Sequence, residues 1–147
     1  MTLPATKHQV LIVDDEPGDV ELVRLALASA PYPCDITVAV NGEEALKVLR
    51  RQPPYQSVPR PDLVLLDLNM PQMDGKEVLA EMKADPALTA IPVVVLTTSD
   101  VEQDIVSSYR LGASGYLSKP IDIGSLFKAI RGITEYWFSV VERPQQT

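Results

Sequence analysis

The stretch LVLLDLNMPQMDG, Leu63 to Gly75, decides the fold. Four apolar residues run into Asp67, and the chain then breaks into a loop holding Pro71, Asp74 and Gly75. A short continuous apolar run closed by turn residues reads as a strand buried on both faces. Aspartate at a strand end has an ordinary use, because it solvates the end and starts turns. Asp67 alone therefore leaves two readings open, a turn starter or a functional carboxylate.

Working outward, Val10–Val13 is a second apolar run, closed by the acidic DDEP. Pro17 suits the first turn of a helix, with Val20, Val23 and Leu27 at helical spacing behind it. DITVAV, residues 35–40, reads as a strand, with Cys34 an ordinary residue before it. NGEEALKVLRRQ reads as a helix with acids early and bases late, as the helix dipole favours. PPYQSVPRP, residues 53–61, has four prolines in nine residues and is a long connector, neither helix nor strand. Gly75–Asp85 is a third helix, and IPVVVLTT is a β-branched fourth strand. SDVEQDIVSSYRLG is a fourth helix, with Ser99 or Asp100 as N-cap and Gly112 as its stop. GYLS, residues 115–118, is a fifth strand, and Ile121–Val141 a final helix. Strands alternating with helices predict an α/β fold, a parallel sheet covered on both faces.

The 147 residues suit one domain, and 46% hydrophobic residues suffice for a core. Thirteen Lys and Arg against twenty Asp and Glu give a net charge of −7, the wrong sign for a general grip on nucleic acid. No apolar run spans a bilayer and MTLPATKHQ lacks a signal-peptide core, so no membrane association and a cytoplasmic location are expected. One cysteine excludes an intramolecular disulfide. His8, the single histidine, is expected at the surface, which with one cysteine leaves no zinc-type ligand set.

Open α/β sheets bind ligands beyond the C-terminal ends of their strands. Those ends here carry Asp14 and Asp15, Asp67, Thr97 and Thr98, and Ser118, Lys119 and Pro120. Three carboxylates at one rim repel, and a divalent oxygen-seeking cation, Mg²⁺, resolves the repulsion. Lys119 is either a counter-ion to this cluster or, with Mg²⁺, a neutraliser of phosphoryl oxygens. A carboxylate can then act as nucleophile, and Asp67, on the central strand, is the best candidate.

VDDEP, LLDLNMPQMDG, VVVLTTS and GYLSKP together resemble, in order and spacing, the receiver domain of two-component response regulators. The resemblance implies a flavodoxin-like, doubly wound five-stranded sheet of order 2-1-3-4-5 with five helices. It implies phosphoryl transfer to Asp67 from a sensor histidine kinase or a phosphotransfer protein. It further implies Asp15 as a direct Mg²⁺ ligand, Asp14 acting mainly through water, and Asn69 contributing its carbonyl. Lys119 would contact the phosphoryl group, and its peptide bond to Pro120 would be cis. Thr97 would be the switch hydroxyl, and Tyr116 the aromatic that turns with it. Thr98 stands where many relatives carry a smaller residue, and Asn69 and Ser99 occupy positions that influence hydrolysis. The proline-rich insert and the extension EYWFSVV resemble the regulators paired with phytochromes, which makes a phytochrome kinase the expected partner. The whole chain, 1–147, is expected to be one receiver domain, with a core at about 8–134 and a helical extension at about 135–147.

A haloacid-dehalogenase-like phosphatase also forms an aspartyl phosphate, but needs a second acid two residues on, where Asn69 stands. A receiver-like interaction module without the chemistry would lack Asp15, Asp67 or Lys119, and all three are present. No glycine-rich nucleotide motif follows the first strand. Finally, a ~30 Å C-terminal helix would overhang a ~20 Å strand. Leu126, Ile130, Ile133, Trp137 and Val140 recur at the spacing of a helix–helix seam. With Tyr136, Trp137 and Phe138 on the overhang, a homodimer through this helix is expected. The competing reading folds Trp137 back onto its own domain.

Overall fold

The computed structural model describes residues 7–68, 70, 73–97, 105, 107, 109–118 and 122–140. Its strands are β1 (His8–Val13), β2 (Cys34–Ala39), β3 (Leu63–Leu66), β4 (Val93–Thr97) and β5 (Gly115–Ser118). Its helices are α1 (Pro17–Ser29), α2 (Gly42–Leu49), α3 (Gly75–Ala84) and α4 (Ile123–Glu135), the last running into a π-helical turn, Tyr136–Val140. The sheet is parallel throughout, in the order β2-β1-β3-β4-β5. The fourth helix expected from the sequence falls largely outside the described residues, and Ile105, Ser107, Tyr109 and Arg110 are its helical members among them.

The strands are apolar on successive residues because each face has its own cover. Leu11, Val13, Val64, Leu66, Val93 and Val95 pack with Leu46 and Leu49 of α2 and Val78 and Met82 of α3. The alternate residues, Val10, Ile12, Leu63, Leu65, Val94 and Leu96, pack with Val23 and Leu27 of α1 and Leu126 and Ile130 of α4. This is the period-two alternation of a strand, with both sides buried.

The caps place the helices. Asn41 accepts from Glu44 N at 2.8 Å, Asp74 from Glu77 N at 3.0 Å and Asp122 from Ser125 N at 2.9 Å. Each satisfies an amide that the first helical turn leaves open. Hydrogen bonds from the Ser125 amide first, then from the Ser125 hydroxyl and the Asp122 and Gly124 amides, hold the Asp122 carboxyl below the usual carboxylate range. Gly112 stops its helix at φ +104°, and a Cβ there would meet the Lys83 side chain. The proline-rich connector is pinned rather than loose. Tyr55 and Val58 pack against the α2/α3 core, and Arg60 Nη1 donates to the Ala87 carbonyl at 2.6 Å.

Three expectations need correction. His8 is not a plain surface residue: it opens β1, is half-buried, and stacks on Phe138 with ring centroids 4.0 Å apart and planes 2° from parallel. Tyr32 meets both rings edge-on, at 6.1 and 6.2 Å. Cys34 lies within β2, because its backbone pairs with His8. Most of the expected dimer seam packs inside the chain, with the Val140 side chain outside the described residues. Leu126 and Ile130 are buried under the sheet, and Ile133, Trp137 and Phe138 pack against the same core. A three-four spacing marks a helix–helix contact without saying which helix, and here α1 takes it. Tyr136 is the aromatic left out, 52% exposed.

Candidate functional site

Strand register builds the rim. Val13 pairs with Leu66, so the next residues, Asp14 and Asp67, emerge side by side. Backbone bonds carry the pairing one residue further: Asp67 N donates to Val13 O at 2.9 Å, and Asp14 N to Ala39 O at 3.0 Å. Asp14 is 4% exposed and Asp67 7%, while Asp15 stands in solvent. One carboxylate oxygen from each of the three lies within 4.8 Å of the others. The Glu16 amide donates to Asp14 Oδ1 at 2.9 Å, which fixes that side chain before α1 begins.

Two glycines let the loop after β3 close behind Asp67. A Cβ on Gly75 would lie 2.3 Å from the Asp67 carbonyl oxygen and 2.7 Å from Leu68 Cα. The Gly75 amide also donates to Leu68 O at 3.0 Å. A Cβ on Gly42 would meet the Met73 carbonyl oxygen at 2.7 Å. Gly75 stands in the stretch quoted first, yet its role as the floor under Asp67 was not read from it. Glycine directly after a helix-capping aspartate was the available signal. Asp74, the remaining loop acid, is engaged as the α3 cap.

Across the rim, Thr97 ends β4 fully buried and pairs in register with Ser118 of β5. Val95 pairs with Tyr116. Tyr116 therefore lies two residues along the register from Thr97, on the same face, and it packs half-buried against the α2/α3 core. Asn69, Lys119, Pro120, Thr98 and Ser99 lie outside the described residues. In sequence Lys119 directly follows Ser118.

The donor set fits a hard divalent cation. It consists of carboxylate oxygens close enough to share one ion, partly open to solvent through Asp15, with no sulfur or imidazole among the three. Among the described residues no helix is long and apolar enough to cross a membrane.

Comparison with known proteins agrees with this geometry. The family model described as response regulator receiver domain matches residues 10–131. The response regulator Rcp1 of Synechocystis sp. is 42% identical over 135 residues, 92% of this chain and 92% of Rcp1. The crystal structure of the phosphorylated cyanobacterial phytochrome response regulator RcpA superposes with a TM-score of 0.89 at 42% identity, covering 95% of this chain and all of that one. The Mn²⁺-bound form of Rcp1 gives a TM-score of 0.86 at 41% identity, over 94% and 99% of the two chains. The chain belongs to the response regulator receiver domain family, the phosphoacceptors of two-component signalling, and is homologous to the phytochrome response regulators.

Proposed function

We propose that Asp67 is the phosphoacceptor, that Mg²⁺ is the working cation, and that a sensor histidine kinase of the phytochrome type, or a phosphotransfer protein, is the donor. The observation that carries this reading is the convergence of Asp14, Asp15 and Asp67 at one rim beside a buried Thr97. An Asp67 carboxylate oxygen attacks phosphorus, the bond from phosphorus to the donor nitrogen breaks, and the histidine leaves. Asp15, Asp67 and the Asn69 carbonyl, with Asp14 mainly through water, would hold Mg²⁺, which when bound would neutralise charge on the phosphoryl oxygens. The Lys119 ammonium pairs with one of those oxygens, and the Thr97 hydroxyl donates to another. Drawing Thr97 toward the rim opens space beside it, and Tyr116 turns into that space. The Lys119–Pro120 bond is cis in this reading.

The chain acts as a signalling protein that promotes only its own phosphorylation and dephosphorylation. It works as one receiver domain with a C-terminal extension, in the cytoplasm and away from nucleic acid. Homodimerisation through the C-terminal helix is retained, with Tyr136 as its exposed contact now that Trp137 and Phe138 serve the chain's own core. Acetyl phosphate with Mg²⁺ tests the reading as a stoichiometry. The expected outcome is at most one acyl phosphate per chain, formed only when the cation is present and not when it is chelated beforehand. Sustained turnover of phosphate monoesters would replace it with the phosphatase alternative.

A further inference from the structure

The π-helical turn Tyr136–Val140 is held from two sides. On one side Trp137 and Tyr136 line a groove of about 410 Å³ at the β5 edge, whose other walls include Tyr116, Tyr109 and Gly132. On the other, Phe138 is stacked on His8 and flanked by Tyr32, at the opposite end of the sheet from the carboxylates. β1 separates the two ends: His8 opens the strand and Asp14 follows its last residue. Six residues at ~3.3 Å each span ~20 Å.

We propose that this turn is a strap that carries the state of Tyr116 to the His8–Tyr32 corner. The inference rests on the reading above, in which Tyr116 turns inward on phosphorylation. When Tyr116 leaves the groove wall, Trp137 gains room on that side. Trp137 and Phe138 are adjacent on one turn, so a roll of Trp137 into the groove withdraws Phe138 from His8. A π turn suits such a roll, because its wider hydrogen-bond spacing loosens one turn of the helix and such turns recur at functional sites. The Tyr136 amide still donates to its α-helical partner Gly132 O, shared with Ile133 O, so the π spacing begins only past this residue. Gly132 adds no side chain to the wall, and no atom lies within 4 Å of where its Cβ would stand. Phosphorylation thus loosens an aromatic clamp at the far end of the sheet, a surface of mixed imidazole, phenol and phenyl character that changes with signal.

The chain has one histidine and one tryptophan, so both ends of the strap report individually. The full chain is titrated with beryllofluoride and Mg²⁺ at one fixed pH, at two protein concentrations a decade apart. Thr97 amide, His8 Cε1–H and Trp137 emission are followed together. A proton over a stacked ring is shielded, so release of Phe138 moves the His8 resonance downfield, toward its position in Phe138→Leu. The expected result is a downfield His8 shift and a changed Trp137 emission, both saturating with the Thr97 response and both independent of concentration. In Phe138→Leu, Thr97 and Trp137 still respond and His8 no longer follows. A Thr97 response with a stationary His8 overturns the strap and leaves the phosphorylation reading standing. A His8 shift seen only at the higher concentration also overturns it, because contact between copies is then the cause. No response at Thr97 overturns the phosphorylation reading, and the strap with it.

Discussion

Asp14 and Asp67, one residue past the ends of the neighbouring strands β1 and β3, bring carboxylate oxygens within 4.8 Å of each other although both residues are buried. Exposed Asp15 joins them, which places three carboxylates at one rim. A divalent cation bound among the three carboxylates would offset their mutual repulsion. Mg²⁺ is therefore expected to raise Tm by binding the folded chain alone. Asp15→Asn should leave metal-free stability unchanged or raised by up to about 1 kcal/mol, since the site is exposed. The same change should weaken Mg²⁺ binding by more than the roughly 10–100-fold seen for outer-shell partners of a metal. Thermal melts with and without Mg²⁺ check both signs, and an undiminished Mg²⁺ effect in the variant would remove Asp15 from the ligand set.

Gly75→Ala places a methyl against backbone rather than against a yielding side chain. The loop must move away from Asp67, at a cost of about 1–3 kcal/mol or more. Denaturant melts should show that loss, together with slower labelling by acetyl phosphate. A variant as stable and as reactive as the parent would mean that the loop does not brace Asp67.

Ile130 and Tyr136 separate core from interface. Ile130 is fully buried in its own domain, so Ile130→Ala should cost about 2–5 kcal/mol. That loss should not depend on protein concentration. Tyr136→Ser should change stability by less than about 1 kcal/mol, yet weaken self-association in sedimentation at concentrations well above micromolar. A monomer in both parent and variant, with and without beryllofluoride, removes the homodimer.

Much of this was legible in the sequence, and the gaps have physical causes. The strand ending at Asp67 and the GYLS strand were found because apolar runs closed by turn residues have few other uses. The apolar pattern of the first strand begins at Val10, because His8 and Gln9 are polar. Their place in β1 comes from pairing with Cys34 and Asp35, which no local pattern records. The three-four spacing on the last helix fixes an apolar face and says nothing of what covers it; in the structure α1 and the sheet cover Leu126 and Ile130. The His8–Phe138 stack joins residues 130 positions apart and left no local mark. The carboxylate cluster was legible for the opposite reason: a parallel sheet sends every strand end to one rim.

Cys34 gives a pH dependence of known sign. Burial, then the nearby Asp35 and Asp62 carboxylates, push its thiol up from 9.0 to about 11. The folded chain therefore holds the proton more tightly than the unfolded one. The resulting stability is complete below the unfolded thiol's range and is lost as pH rises from 9.0 toward 11. Near pH 8 the native thiol should carry on the order of a hundredfold less thiolate than the unfolded chain. Iodoacetamide should accordingly label native protein far more slowly than protein in urea, and equal rates would show that the thiol is not held this way.

The phosphoacceptor itself can be marked chemically. Borohydride reduces an aspartyl phosphate to homoserine, so a chain treated with acetyl phosphate and Mg²⁺ and then reduced records where the phosphoryl group sat. Peptide mass spectrometry is predicted to find homoserine at position 67 alone, absent without Mg²⁺ and absent in Asp67→Asn. Homoserine at position 14 or 15 in the parent chain, or undiminished labelling in Asp67→Asn, would contradict the account.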